Sequence, residues 1–303
     1  MRAIFVDATE EMAAVFRKVA RPDDPEVHVH IVPDVAPDAL PGLLAGYQLV
    51  LNDHSFMPTG QMRRCAGLRH VVFLGTGARS YMHPEELAGL GITVHTIRGY
   101  GDTAVAEHVI ALMWEAARGL ASMDRDIRAG GWPRSEGVQL TGKTIGLLGF
   151  GGIAAEVARI AGGSGMRVLA WNRTPRSAPG VEFVPLDTLL ADSDVLSLHL
   201  LLTEETRGIL SAERIARLRP GAILVNTARG ALVDEAAMVA ALRSGAIGHA
   251  GLDVFVEEPL PAGHVLTTLA NVTLSAHSAF RTPEASETLL RRALDIAKGL
   301  AGE

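Results

Sequence analysis

Cysteine is almost absent: Cys65 is the only one in 303 residues. A lone thiol closes no internal disulfide, and no Cys/His cluster has zinc spacing, so neither a disulfide scaffold nor a metal site is expected. Positive charge is also in deficit, with 28 Lys and Arg against 34 Asp and Glu and a formal net charge of −6. A nucleic-acid partner is not expected from that balance. Long apolar runs are missing as well. The opening MRAIFVDATE closes an apolar stretch on Asp7 without building a signal-peptide core, and no later run reaches bilayer length. A cytoplasmic protein with no membrane partner is therefore expected. Internal repeats and low-complexity tracts are lacking too. What is present is a chain that is 48% apolar, long enough for about two domains with sizeable cores.

Periodicity divides that chain. Short apolar runs at 3–6, 27–32, 49–51, 70–74 and 92–95, separated by helical or turn segments such as 10–20 and 84–90, predict one α/β unit. Residues 103–128, TAVAEHVIALMWEAARGLASMDRDIR, keep helical spacing behind Asp102 as N-cap and stop at Gly130-Gly131. One long helix linking two domains is predicted there. Beyond it, strands are predicted at 144–148, 168–171, 195–198, 222–225, 250–253 and 272–274, mostly with helical stretches between. The alternation implies an α/β fold with a doubly wound, mainly parallel sheet, and residues 283–300 as a helix returning to the first domain.

The clearest ligand signal is at the first turn of the second domain. TIGLLGF runs into Gly149-Phe150-Gly151-Gly152-Ile153-Ala154 and then helical AEVARIAG, the dinucleotide fingerprint in its strand-turn-helix setting. Gly149 suits the tight turn, Gly151 lets backbone approach a pyrophosphate, and Ala154 permits close helix packing. The helix N-terminus offers free N–H groups to the anion. At the end of the next strand, where NAD-binding chains usually carry Asp or Glu, stands Asn172, followed by Arg173, Thr174 and, further on, Arg176. A carboxylate there would repel a 2′-phosphate, whereas these groups can donate to one, so NADP(H) is expected to be preferred, with NAD(H) still admissible.

Three further segments end apolar runs: NTARG, LDVFVEEP and SAHSAF. They put Arg229, Glu258 and His277 at strand ends, where open α/β sheets bind ligands, and a cation, a carboxylate and an imidazole collected there make an acid/base site.

With GFGGIA, SLHLLLTEETRGIL (197–210), NTARGALVDEAAMVAAL (226–242), GLDVFVEEPL (251–260), the His277 segment and the AVAEHVIAL start of the long helix, the chain resembles the D-isomer-specific 2-hydroxyacid dehydrogenases over nearly its whole length. The resemblance implies two doubly wound parallel-sheet domains. Residues 1–100 plus 280–303 would bind substrate, and residues 101–279 would be the Rossmann NAD(P)-binding domain, through which the chain would form a homodimer. It implies that Arg229 binds a small 2-oxo acid or 2-hydroxy acid, that Glu258 is the acidic partner and that His277 is the acid/base. The chemistry fits, because a guanidinium clamps a carboxylate and polarises the adjacent ketone, and an imidazolium donates a proton near neutral pH. A carboxylate beside it raises the pKa of a histidine and orients the ring, so Glu258 would keep His277 charged. Asp253 resembles the residue that contacts the nicotinamide amide, with Thr227, Ala228, Arg229 and His277 also near the cofactor. Thr76 and Gly77, in the loop after the fourth strand, match the backbone that holds the substrate carboxylate, and glycines at 75 and 77 suit an anion nest. Arg79, Asn52, His54, Arg98 and Tyr100 are further positions near that pocket, and Trp132 suits dimer packing.

The family pattern is departed from at Ala276 and Leu201, where proline is usual, and Glu257 beside Glu258 leaves a one-place ambiguity in the carboxylate. No glutamine of the formate-dehydrogenase kind stands by His277. The chain stops just after the last helix, so no regulatory extension is expected. The activity expected is reduction of glyoxylate, hydroxypyruvate or a similar 2-oxo acid. The alternative from another class is a dinucleotide-sensing, corepressor-like protein without turnover.

Overall fold

Strand β1, Ala3–Ala8, is buried along its whole length. Its alternate residues feed two cores, Ile4 and Val6 on one face and Ala3 and Phe5 on the other. A strand covered on both faces reads as a continuous apolar run, which is why it was legible. The computed structural model describes residues 1–134, 136–174 and 176–302. Within them the chain divides into two units, Met1–Gly101 with Arg281–Glu303, and Asp102–Phe280.

In the first unit β1 is joined by β2 (Val27–Ile31), β3 (Leu49–Asn52), β4 (His70–Phe73) and β5 (Thr93–Thr96) in the order β2-β1-β3-β4-β5, every pairing parallel. This is the flavodoxin-like order, with its reversal between β1 and β3. Asp7, fully buried at the end of β1, accepts the backbone N–H groups of Asp53, His54 and Ser55 at 2.8 to 2.9 Å and so ties down the loop after β3. The helix Pro283–Ala301 starts with Thr282 as N-cap, its side chain accepting from Ala285 N–H. It buries Leu289, Leu290, Ala293, Leu294 and Ala297 against Phe5 and Phe16 of the same unit.

The second unit holds β6 (Thr144–Leu148), β7 (Arg167–Trp171), β8 (Glu182–Phe183), β9 (Val195–Leu198), β10 (Ala222–Asn226), β11 (Ile247–Leu252) and β12 (Val272–Leu274). They lie in the order β12-β11-β10-β9-β6-β7-β8, again all parallel. The order reverses between β6 and β9, the doubly wound arrangement that opens a crevice at the carboxyl end of β6. Two expectations need correction. The predicted single helix over 103–128 is two, Asp102–Arg118 and Leu120–Arg128, separated by Gly119 in the left-handed conformation at φ 60°. Strand β8 was not predicted, being two residues long.

Candidate active site

Arg229, Glu258 and His277 follow β10, β11 and β12, three neighbours in one parallel sheet, so their loops leave the same edge side by side. His277 Nδ1 lies 2.7 Å from Glu258 Oε2, and the other carboxylate oxygen accepts the Phe255 N–H at 2.8 Å. The contact goes to Glu258, not to Glu257. An ionised carboxylate only accepts, so Nδ1 carries the proton of that contact, and Nε2 is the second ring nitrogen. Burial pushes the Glu258 carboxyl up, but the hydrogen bonds from His277 and Phe255 and the charges of His277 and Arg229 outweigh it and hold the group below its usual range.

His277 has φ 48°, the left-handed region that a side chain rarely adopts. Asp253 holds it there. The Asp253 carbonyl accepts the His277 N–H at 2.7 Å, while its fully buried carboxylate accepts the N–H groups of Ser278 and Ala279, each at 3.0 Å, and the Ser275 hydroxyl at 2.6 Å. The Ser275 proton is spent on Asp253, so its oxygen accepts from His108 Nε2–H at 2.9 Å. The Asp253 side chain thus faces the His277 loop.

The Arg229 loop is braced from one residue. Asn226, at the end of β10 and 1% exposed, accepts the Ala228 N–H and donates to the Arg229 carbonyl. A Cβ on Gly230 would collide with the Phe255 carbonyl, so glycine is what lets the Arg229 loop lie against the loop carrying Glu258. Arg229 itself is half-buried, its Nη1 donating to the Ala228 carbonyl at 2.6 Å. Thr227 and Ala228 are half-buried beside it.

At the end of β6, Gly149 has φ 96°, and a Cβ there would strike the His199 carbonyl and the Leu200 side chain. A Cβ on Gly151 would meet no protein atom within 4 Å, and a Cβ on Gly152 would run into the Asp102 carboxylate. The turn therefore demands glycine at 149 and 152 and leaves open space over 151, where the helix Gly152–Gly163 begins without a side-chain cap. Space beside uncapped N–H groups fits a dinucleotide pyrophosphate. Phe150 is buried edge-on to Phe183, and Ile153 packs partly into the core. Asn172 is turned inward, accepting the Phe150 N–H at 3.2 Å and donating to the Thr174 carbonyl at 2.8 Å. Arg173 and Thr174 are exposed, and Arg173 pairs with Glu205 at 3.0 Å.

Thr76 and Gly77 belong to the other unit, after β4. Thr76 is exposed and Gly77 has φ −93°. Neither Gly75 nor Gly77 is left-handed, so the loop lacks the alternating backbone of an anion nest. Arg79 is exposed and paired with Glu85. Asn226, Gly230, Ser275 and His108 escaped the sequence reading. The first two carry a local signal, a polar residue ending a buried strand and a glycine after the arginine.

A model of the NAD binding domain of the D-isomer specific 2-hydroxyacid dehydrogenases matches residues 110–279. The chain is 32% identical to a glycerate dehydrogenase of Methylorubrum extorquens over 269 residues, 86% of this chain and 84% of that one. It is 42% identical to a glyoxylate reductase of Aeropyrum pernix over 224 residues, 70% of this chain and 66% of that one. Among solved structures it resembles an acyclic imino acid reductase in complex with NADPH and D-Arg, with TM-score 0.86, 25% identity and coverage of 100% of this chain and 98% of the other. These relatives are enzymes, which does not favour a sensor without turnover. The chain belongs to the D-isomer specific 2-hydroxyacid dehydrogenase family and is a nicotinamide-dinucleotide-dependent oxidoreductase.

Proposed function

We propose that the chain is an NADP(H)-preferring reductase of a small 2-oxo acid such as glyoxylate or hydroxypyruvate, with Arg229, Glu258 and His277 as its catalytic residues. The observation that carries the reading is the His277–Glu258 contact at 2.7 Å, formed at the strand edge that also bears Arg229. Arg229 binds the substrate carboxylate and polarises the neighbouring ketone oxygen. A bound reduced nicotinamide supplies the hydride. His277 gives the Nε2 proton to the alkoxide oxygen that results, and Glu258, paired with Nδ1, holds the ring in place for the transfer. In the reverse direction His277 takes that proton back.

The turn from Gly149 to Ile153 holds the pyrophosphate. Thr227, Ala228, Arg229, Asp253 and His277 are assigned to the nicotinamide side, Asp253 acting through the loop it braces. The preference for NADP(H) rests on Asn172 standing where a carboxylate would repel a 2′-phosphate, and on the exposed Arg173 and Thr174 beside it. Leu120, Ile127, Trp132 and Val138, all exposed in the second unit, suit cover by a second copy, and a homodimer in the cytoplasm is the proposed form. Among the described residues no helix is long and apolar enough to cross a membrane.

The test is the loss of absorbance of NADPH and of NADH with a panel of 2-oxo acids. Oxidation with glyoxylate or hydroxypyruvate, and a higher kcat/KM with NADPH, is the expected result. No turnover with any acid overturns the reductase reading, and equal kcat/KM with the two coenzymes overturns the preference alone.

A further inference from the structure

The Arg173–Glu205 pair lies where the sheet order makes it informative. Because the strands run β9-β6-β7, the loops after β7 and β9 flank the strand that carries the glycine turn. Arg173 follows β7 and Glu205 belongs to the segment after β9, so the 3.0 Å contact joins the two loops on either side of β6. Glu205 is held on a braced turn. Thr203 and Thr206 each accept the other's backbone N–H through the side-chain oxygen, at 2.8 and 3.3 Å, and the Thr206 hydroxyl also donates to the Leu201 carbonyl at 2.6 Å. The adjacent Glu204 is drawn off toward Arg207.

We propose that Glu205 is a coenzyme-discriminating residue: its carboxylate takes the Nη1 donor of the guanidinium that a 2′-phosphate would engage, so NADP(H) competes with the Arg173–Glu205 pair while NAD(H) leaves it intact. This rests on the reading that Arg173 serves the 2′-phosphate. A guanidinium engages a phosphate through charge-assisted, often bidentate hydrogen bonds. A carboxylate on the same fork competes for those donors and repels the incoming charge. Asn172 puts no negative charge at the end of β7, so the carboxylate working against a 2′-phosphate at Arg173 is supplied by the neighbouring loop. Both members are mostly exposed, at 80% and 75%, so the pair is a modest obstacle, and Glu205 tunes the preference without reversing it.

The experiment is calorimetric titration of NADPH and NADH into the wild type, Glu205→Gln, Arg173→Ala and the double variant, at low and high salt. Glu205→Gln is expected to tighten NADPH about fivefold and to leave NADH within about twofold. The gain should vanish in the Arg173→Ala background and shrink as salt screens the charges. If Arg173→Ala weakens NADPH but Glu205→Gln moves neither coenzyme, or moves both equally, Glu205 does not discriminate and the phosphate reading stands. A gain that persists without Arg173 also overturns the inference. If Arg173→Ala leaves NADPH binding unchanged, the phosphate reading falls, and the inference with it.

Discussion

His277 alone among the described non-glycine residues has a positive φ, a conformation that costs roughly 1–2 kcal/mol and persists only where surrounding bonds over-determine it. Those bonds are the ones Asp253 makes. His277→Ala is expected to lower turnover by about 10²–10⁴-fold, the usual worth of a positioned acid/base, while the dinucleotide still binds. Stopped-flow turnover beside calorimetric affinity checks this, and loss of both together would mean the loop had collapsed. Glu258→Gln keeps an acceptor for the Phe255 N–H but removes the charge facing His277, so turnover should fall in the same stopped-flow assay, and the stability that the depressed carboxyl contributes at neutral pH should be lost with it. A second histidine sets a pH limit on the fold. The hydrogen bond to Asp53 chiefly raises the His54 pKa to about 9. Burial opposes this, and the Pro33 carbonyl and the charges of Asp7 and Asp53 assist. A raised pKa contributes stability that is complete below the unfolded value near 6.5 and fades as pH climbs through 9. His54→Asn should flatten the stability curve over that interval in urea unfolding, lowering stability on the acid side and leaving it unchanged above pH 9.

Gly119 reverses an expectation that belongs to the helix as an element. Inside a continuous helix, Gly→Ala stabilises by about 1 kcal/mol. At φ 60°, between helices Asp102–Arg118 and Leu120–Arg128, the same change should destabilise by about 1 kcal/mol, and the sign measured in urea decides between one helix and two. Periodicity could not see this break, because the apolar spacing runs on through Arg118-Gly119-Leu120 without interruption. Strand β8 was illegible for another reason: two residues, Glu182 and Phe183, complete no alternation. The long buried strands and the fingerprint turn were readable because the constraint on each is local, a run covered on both faces or a glycine forced by a nearby carbonyl. The bracing of the His277 loop was not. Its parts, at His108, Asp253 and Ser275, lie far apart in sequence, and only the stacking of β11 beside β12 under the helix Asp102–Arg118 brings them together.

On the scale of the whole molecule, the first unit is made from both ends of the chain and the second from its middle. Arg291, in the closing helix, donates to both oxygens of Asp24 at 2.7 and 2.6 Å and to the Val19 carbonyl at 2.8 Å. Arg291→Ala leaves a nearly buried carboxylate without its partner and should cost about 3 kcal/mol of stability in the first unit. The Arg291 hydrogen bonds hold the Asp24 carboxyl at about 2, down from 3.8. A depressed pKa contributes stability that is present above 3.8 and lost as pH falls through about 2. Acid unfolding followed by circular dichroism should therefore begin at higher pH in Arg291→Ala. The same arrangement orders events at the ribosome. Synthesis delivers every strand of the middle unit before the helix that covers Phe5 and Phe16 exists, so the portion of the chain made first is the portion finished last.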